Sequence, residues 1–249
     1  MFKYIGIVFR IGPLLVWNYF TWILYYYRHK DKYTLEERYK KLRKLDLKLL
    51  KRLHVDIDAK GVENLNDKQI KLITPNHQSL LDPLVLIALS EKPISFVAKK
   101  EVQKMPIIGK AFKVIDGEFI DRQDLRQQIK FLKIVEKSLL NKEHSWGIFP
   151  EGTRNKNIEN VLIGEFHPGT FKVALNADVT VLPVVIEGIH KILSKKYWSR
   201  RYSVAITFLK SISNKDINAK NTIEYRDFVY NKMCEELKSL KNKRLLQNS

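Results

Sequence analysis

After residue 54 the chain alternates short apolar runs with helical patterns, and this alternation limits its fold more than any other feature. The runs at 70–74, 94–98, 146–149, 181–186 and 203–209 have the length and composition of strands. Segments 83–90, 124–140, 169–176 and 223–243 carry apolar residues at helical spacing. Strands alternating with helices predict an α/β domain, with a largely parallel central sheet flanked by helices. At 249 residues the chain can bury a full core, and one such domain plus an appendage is expected. The expected division is 1–53 as N-terminal helices and 54–249 as the α/β domain.

The first 27 residues are apolar and aromatic. They make a poor secretory signal, because Arg10 interrupts the apolar run and no small-residue cleavage site follows. They are also short for a membrane span: the longest uncharged stretch, 11–27, has 17 residues and contains Pro13. Trp17, Trp22 and Tyr25 to Tyr27 suit the level of lipid headgroups. A buried core helix, a span and an interfacial helix are all open readings. The interfacial one is favoured, since a core helix rarely carries large aromatics on all faces.

Residues 28–52 carry 11 Lys/Arg against 4 Asp/Glu. Thr34 and Glu37 form a capping box ahead of an apolar stripe of Leu35, Tyr39, Leu42, Leu45, Leu49 and Leu53. This predicts an amphipathic helix with a cationic face, the second of a membrane-associated pair. Another basic cluster lies at 191–201. The net charge of +18 implies an anionic partner: nucleic acid, an anionic membrane or phosphorylated substrates. The single cysteine, Cys234, excludes an intramolecular disulfide and a Cys-rich zinc site.

Four short blocks can carry chemistry. Asn76-His77-Gln78-Ser79-Leu80-Leu81-Asp82-Pro83 follows the first strand of the alternating region. Asp82-Pro83 reads as a helix start, with Asp at the N-cap and Pro at N1. His77 then sits in a strand-to-helix loop, where a neutral imidazole can face a cleft while a carboxylate holds its other nitrogen. Gly117-Glu118-Phe119-Ile120-Asp121-Arg122 places an arginine just after an apolar pair. In Phe149-Pro150-Glu151-Gly152-Thr153-Arg154 the glycine permits close backbone approach and the arginine can grip an anion through two bonds. Val181-Leu182-Pro183-Val184-Val185-Ile186 is an apolar strand interrupted by proline, which predicts a bulge or an edge near a site. All four lie at or near strand ends, where α/β sheets bind their ligands.

In this order the four blocks resemble the glycerolipid acyltransferase family, specifically its 1-acylglycerol-3-phosphate acyltransferases. They look like its N-H-x4-D, G-x-x-F-I-x-R, F-P-E-G-T-R and proline-bearing fourth motifs. The segments 96–101 and 106–109 also fit, and the resemblance spans roughly 55–210. One departure is Phe166-His167-Pro168-Gly169, where members often show Phe-Lys-x-Gly.

The resemblance implies transfer of a fatty acyl group from a thioester, on coenzyme A or acyl carrier protein, to the free hydroxyl of a lysophospholipid. His77 would be the general base and Asp82 its orienting partner. Asn76, Lys100, Arg122, Glu151, Gly152, Thr153 and Arg154 would form the acceptor site, with the phosphate among the basic residues and Asn76 orienting the loop. Glu151 would pair with an arginine or bind the glycerol backbone. Pro183 would belong to the frame or to the acyl-donor region.

No cofactor and no metal ion are expected, and no nucleic acid. The partners expected are anionic membrane lipids, the lysophospholipid acceptor and the acyl donor, at the cytoplasmic face of the cell membrane. Two rivals stand beside this reading: the same chemistry on glycerol-3-phosphate or another lysolipid, and a basic nucleic-acid-binding protein without catalysis. The second rests on charge alone, with no nucleic-acid fold signature in the sequence.

Overall fold

The computed structural model describes residues 5–193 and 201–248. In chain order the elements are α1 (Ile5–Asn18), a π-helical turn (Tyr19–Ile23), α2 (Leu24–Arg28), α3 (Leu35–Arg52), β1 (Val55–Lys60), α4 (Val62–Asn66), β2 (Leu72–Pro75), α5 (Asp82–Leu89) and β3 (Ile94–Lys99). A 3-10 turn (Lys100–Lys104), α6 (Pro106–Val114), β4 (Glu118–Ile120), α7 (Leu125–Leu140), β5 (Ser145–Gly147), α8 (Pro168–Asn176) and β6 (Val181–Glu187) follow. A third 3-10 turn (Ile189–Leu193; the first is Lys30–Lys32), β7 (Tyr202–Phe208), α9 (Asn214–Ile217) and α10 (Thr222–Asn248) complete the described elements.

The seven strands form one sheet in the order β1-β7-β6-β2-β5-β3-β4. Every neighbouring pair is parallel except β6 and β7. The α/β class with helices around a mostly parallel sheet is therefore as expected. Two strands escape the sequence reading. In β1, Val-Asp-Ile-Asp-Ala-Lys alternates between half-buried and exposed positions, the period-two signature of a strand at the rim of a sheet. The other, β4, is only three residues long and pairs with β3 at the opposite edge.

Pro183 sits inside β6, buried, opposite Thr74 of β2. Proline has no N–H to donate, and its carbonyl accepts from Leu209 at 3.0 Å. Val184 pairs with Phe208, whereas Val181 pairs with Ile212, so two residues on β6 face three beyond β7. The extra residue is a bulge, placed where the missing donor weakens the ladder.

The N-terminal helices share the main core. Tyr39, Leu42, Leu45, Leu49, Leu50 and Leu53 of α3 and its C-cap are buried in the same cluster as Val85 and Leu86 of α5 and Leu182 and Val184 of β6. Thr34 caps α3 in both directions of a capping box: Glu37 N donates to its hydroxyl, and Glu37 accepts from the Thr34 N–H. Ile7 and Ile23 bury opposite ends of the aromatic stretch in that cluster. Arg10 hydrogen-bonds His54 at 2.6 Å, while Val8, Phe9, Val16, Trp17 and Phe20 stay exposed. The basic cluster at 191–201 falls mostly outside the described residues.

Candidate active site

The strand order determines which loops meet. Strands β2, β5, β3 and β4 are consecutive neighbours and all parallel, so their carboxyl ends lie along one edge of the sheet. His77 follows β2, Glu151 to Arg154 follow β5, Lys100 follows β3 and Arg122 follows β4. Residues that are up to 77 positions apart in sequence thus share one rim, the usual place for a ligand in a parallel sheet.

His77 is 9 % exposed, and its Nδ1 lies 2.7 Å from Asp82 Oδ2. That oxygen also accepts the backbone N–H groups of Gln78 (2.8 Å) and Ser79 (2.9 Å). The helix starts at Asp82 itself, so the residue is not the expected N-cap. Its carboxylate turns back onto the loop because three donors converge there. Asp82 Oδ1 is buried with no hydrogen-bond partner. Burial pushes the Asp82 carboxyl up, and the imidazole and the two amides oppose that shift. The His77 ring stacks on Phe149 with centroids 4.1 Å apart. With Nδ1 on Asp82, Nε2 has no partner among the described residues.

The loop after β5 grips the His77 backbone from both sides. His77 N donates to Glu151 Oε1 at 2.5 Å, and Asn155 N donates to the His77 carbonyl at 2.9 Å. Glu151 Oε2 accepts from Gly164 N at 2.7 Å. Glu151, expected to meet an arginine or the acceptor's glycerol, instead points inward, because its two oxygens satisfy two backbone amides. Burial lifts its carboxyl to about 7. Two glycines make this packing feasible. A Cβ on Gly164 would lie 2.6 Å from Glu151 Oε2. Gly152 has φ +66°, and a Cβ there would meet the His167 ring at 2.9 Å.

Asn76, expected in the acceptor site and as the residue that orients the loop, bonds the backbone of β6 through its amide. Its Oδ1 accepts from Ile186 N (2.7 Å) and its Nδ2 donates to the Ile186 carbonyl (3.0 Å). The side chain continues the pairing of β2 with β6 past the last strand residue, and this aims the His77 loop. Behind it, Gln78 donates to Glu187 (3.1 Å) and meets His190 Nδ1 (3.2 Å).

Arg122 lies close enough to Arg154 to feel its charge. Burial first, and then Arg154, hold the half-buried Arg122 guanidinium below its ordinary value, with Glu101 opposing. Among the described residues neither arginine has an ion-pair partner. Guanidiniums of this kind can grip an anion through two bonds each. Lys100 is exposed and pairs loosely with Asp121 at 3.7 Å, and Thr153 is exposed beside Arg154. Among the described residues no group of His, Cys, Asp and Glu is placed to hold a metal ion.

The bracing roles of Asn155, Gly164, Phe149 and Gln78 escape sequence reasoning. Only Phe149 and Gln78 carried a signal, as members of the Phe149–Arg154 and Asn76–Pro83 blocks.

A mixed α/β sheet with a carboxylate-oriented imidazole and two arginines along its carboxyl rim defines the class of α/β proteins that gather a site at the strand ends. The acyltransferase family model matches residues 56–187, which include all of the rim residues described above. A probable 1-acyl-sn-glycerol-3-phosphate acyltransferase of Mycoplasma genitalium is 36 % identical over 200 residues, 73 % of this chain and 70 % of that protein. The 1-acyl-sn-glycerol-3-phosphate acyltransferase of Saccharomyces cerevisiae is 30 % identical over 190 residues, 76 % of this chain and 62 % of that protein. The crystal structure of the acyltransferase PlsC of Thermotoga maritima shares the fold, with a TM-score of 0.69 over 96 % of this chain and 92 % of that one, at 22 % identity. The chain belongs to the acyltransferase family.

Proposed function

We propose that this enzyme transfers a fatty acyl group from an acyl thioester to the free hydroxyl of 1-acylglycerol-3-phosphate, giving phosphatidic acid for phospholipid synthesis. The observation that carries the reading is the Asp82–His77 pair at 2.7 Å, with Nε2 open and Arg154 next to the residue that bonds the His77 carbonyl. His77 Nε2 takes the hydroxyl proton as the acceptor oxygen attacks the thioester carbonyl. Asp82 keeps the other ring nitrogen protonated and stabilises the imidazolium. The tetrahedral intermediate collapses, the C–S bond breaks, and the departing thiolate recovers the proton from His77. Arg122 and Arg154 hold the acceptor's phosphate. No metal or cofactor takes part, and the donor is acyl-coenzyme A or acyl carrier protein.

The N-terminal helices place this site at an anionic bilayer, on its cytoplasmic face. The helical stretch Gly6–Arg28 is long and apolar enough to cross a membrane by length and composition. Both of its ends are packed on the domain, through Ile7 and Arg10 at one and Ile23 at the other. A helix pinned at both ends favours lying in the interface with Phe9, Trp17 and Phe20 in the lipid.

The deciding experiment incubates purified protein with acyl-coenzyme A or acyl carrier protein donors and a panel of acceptors, with products identified by mass spectrometry. Phosphatidic acid from lysophosphatidic acid is the expected product. Preferential acylation of glycerol-3-phosphate or of a lysolipid lacking the phosphomonoester would overturn the acceptor assignment.

A further inference from the structure

Two cavities adjoin on the N-terminal helices. The first, about 440 Å³, lies between the aromatic stretch and α3. One wall is Trp17, Trp22, Tyr26 and Tyr33. The other is a rail of lysines on α3: Lys40, Lys44 and Lys48, one helical turn apart, with Lys41 beside them. At 1.5 Å rise per residue the rail places an ammonium about every 6 Å along the helix axis. Among the described residues none of these four lysines has an ion-pair partner. Glu37 is the lone acid in the lining, and its Oε2 already accepts from the Thr34 N–H and hydroxyl at 2.8 and 3.0 Å.

The aromatic wall is pre-set. Trp22 Nε1 donates to Asn18 Oδ1 at 2.7 Å, and Asn18 in turn donates to the Leu14 carbonyl at 2.7 Å. The second cavity, about 710 Å³, is an open apolar groove along α1 lined by Val8, Phe9, Pro13, Val16 and Phe20. Trp17 and Thr21 line both cavities, so the cationic chamber and the apolar groove lie side by side along this helix.

A chamber of four unpaired cations beside an apolar trough fits an amphiphile with a negative head. A soluble anion would leave the trough empty, and a neutral lipid would leave the lysines unmatched. We infer that this surface is a discrete binding site for one anionic phospholipid, its phosphate against the Lys40–Lys44–Lys48 rail and its acyl chains along the Phe9–Phe20 groove. The inference rests on the bilayer reading above. It adds that attachment depends on a defined lipid seat rather than on diffuse charge, and that the seat accepts the phosphate chemistry of the enzyme's own product.

The test uses the full chain and two triple variants that remove equal charge from exposed positions: Lys40→Gln/Lys44→Gln/Lys48→Gln in the rail and Lys130→Gln/Lys133→Gln/Lys137→Gln on α7. Co-sedimentation compares phosphatidylcholine vesicles with and without phosphatidic acid. The rail variant is expected to lose ~10-fold or more of the preference for anionic vesicles, taking near-surface lysines as additive. The α7 variant should lose far less, and both should keep wild-type turnover on detergent-dispersed acceptor.

A second arm follows tryptophan emission while a short-chain phosphatidic acid, below its micellar concentration, is titrated against inorganic phosphate. The lipid should give a saturable change in wild type that the rail variant lacks, and phosphate should give none. Equal losses in the two variants, or saturation by phosphate alone, would overturn the lipid seat. Wild-type protein that binds neutral and anionic vesicles equally overturns only the seat. Wild-type protein that binds neither overturns the bilayer reading and the seat together.

Discussion

His77 is held at its ring nitrogen, its ring face, its amide and its carbonyl, by Asp82, Phe149, Glu151 and Asn155 in turn. Position is therefore shared among several side chains, while proton transfer belongs to one. His77→Ala should lower turnover by ~10²–10⁴-fold, the usual contribution of a general base, in protein that still folds. Glu151→Gln separates positioning from binding. A carboxylate accepts two N–H donors, but an amide has one acceptor oxygen and presents an NH₂ to the other donor. The variant should lose kcat with little change in the acceptor KM. Arg154→Lys should do the reverse, raising KM for lysophosphatidic acid because an ammonium cannot make the bidentate phosphate contact. Steady-state kinetics on both variants checks the contrast. An equal effect of Arg154→Lys on an acceptor without the phosphomonoester would refute the phosphate role.

At the scale of elements, α3 does two jobs that a capping box and a heptad-like stripe do not distinguish. Its apolar face is core, and its arginines bond the domain, Arg38 to Asp116 and Arg43 to the Ala88 carbonyl, whereas Lys40, Lys41, Lys44 and Lys48 have no ion-pair partner among the described residues. Truncation at residue 53 would strip Tyr39, Leu42, Leu45, Leu49 and Leu50 from the main cluster, so that fragment should unfold rather than merely leave the membrane. The double variant Phe9→Ser/Phe20→Ser should instead weaken vesicle binding without shifting the melting temperature, since both side chains are over two-thirds exposed. Co-sedimentation and a thermal melt on the same sample test both halves of that statement.

Asp46 is the flaw in α3. It is buried in the helix, its Oδ2 has no hydrogen-bond partner, and burial raises its carboxyl well above the ordinary value. A carboxyl raised on folding favours the fold while protonated, and stability falls as pH climbs from the unfolded value through the folded one. Asp46→Asn removes that titration. Its melting temperature should exceed that of wild type by a margin that widens from pH 5 to pH 8. A constant margin would mean that Asp46 is not the titrating group.

For the whole molecule, the charge of +18 acts on the partner rather than on the fold. Binding to anionic vesicles should fall steeply as salt rises, because screening shortens the reach of exposed charges to about 8 Å at physiological ionic strength. Binding to neutral vesicles, driven by Phe9, Trp17 and Phe20, should change little. A salt series on both vesicle types measures this.

Local physics wrote much of the protein into its sequence. Helices α3, α5, α7, α8 and α10 and strands β2, β3, β5, β6 and β7 were legible because periodicity and caps act over a few residues. The proline of β6 announced a bulge or an edge, and the irregularity falls opposite it at residues 209–211, because a missing donor has consequences wherever it falls. The pairing of His77 with Asp82 was legible too, because five residues of loop bring the two side chains together.

Only the tertiary structure decided the rest. The antiparallel β7, the strand order that gathers Lys100, Arg122 and Arg154 on one rim, and the inward turn of Glu151 all depend on which buried donors meet which acceptors across long sequence separations. The sequence names residues able to bond. The fold decides the partner, because a buried carboxylate or amide goes to whichever unsatisfied group the packing leaves beside it.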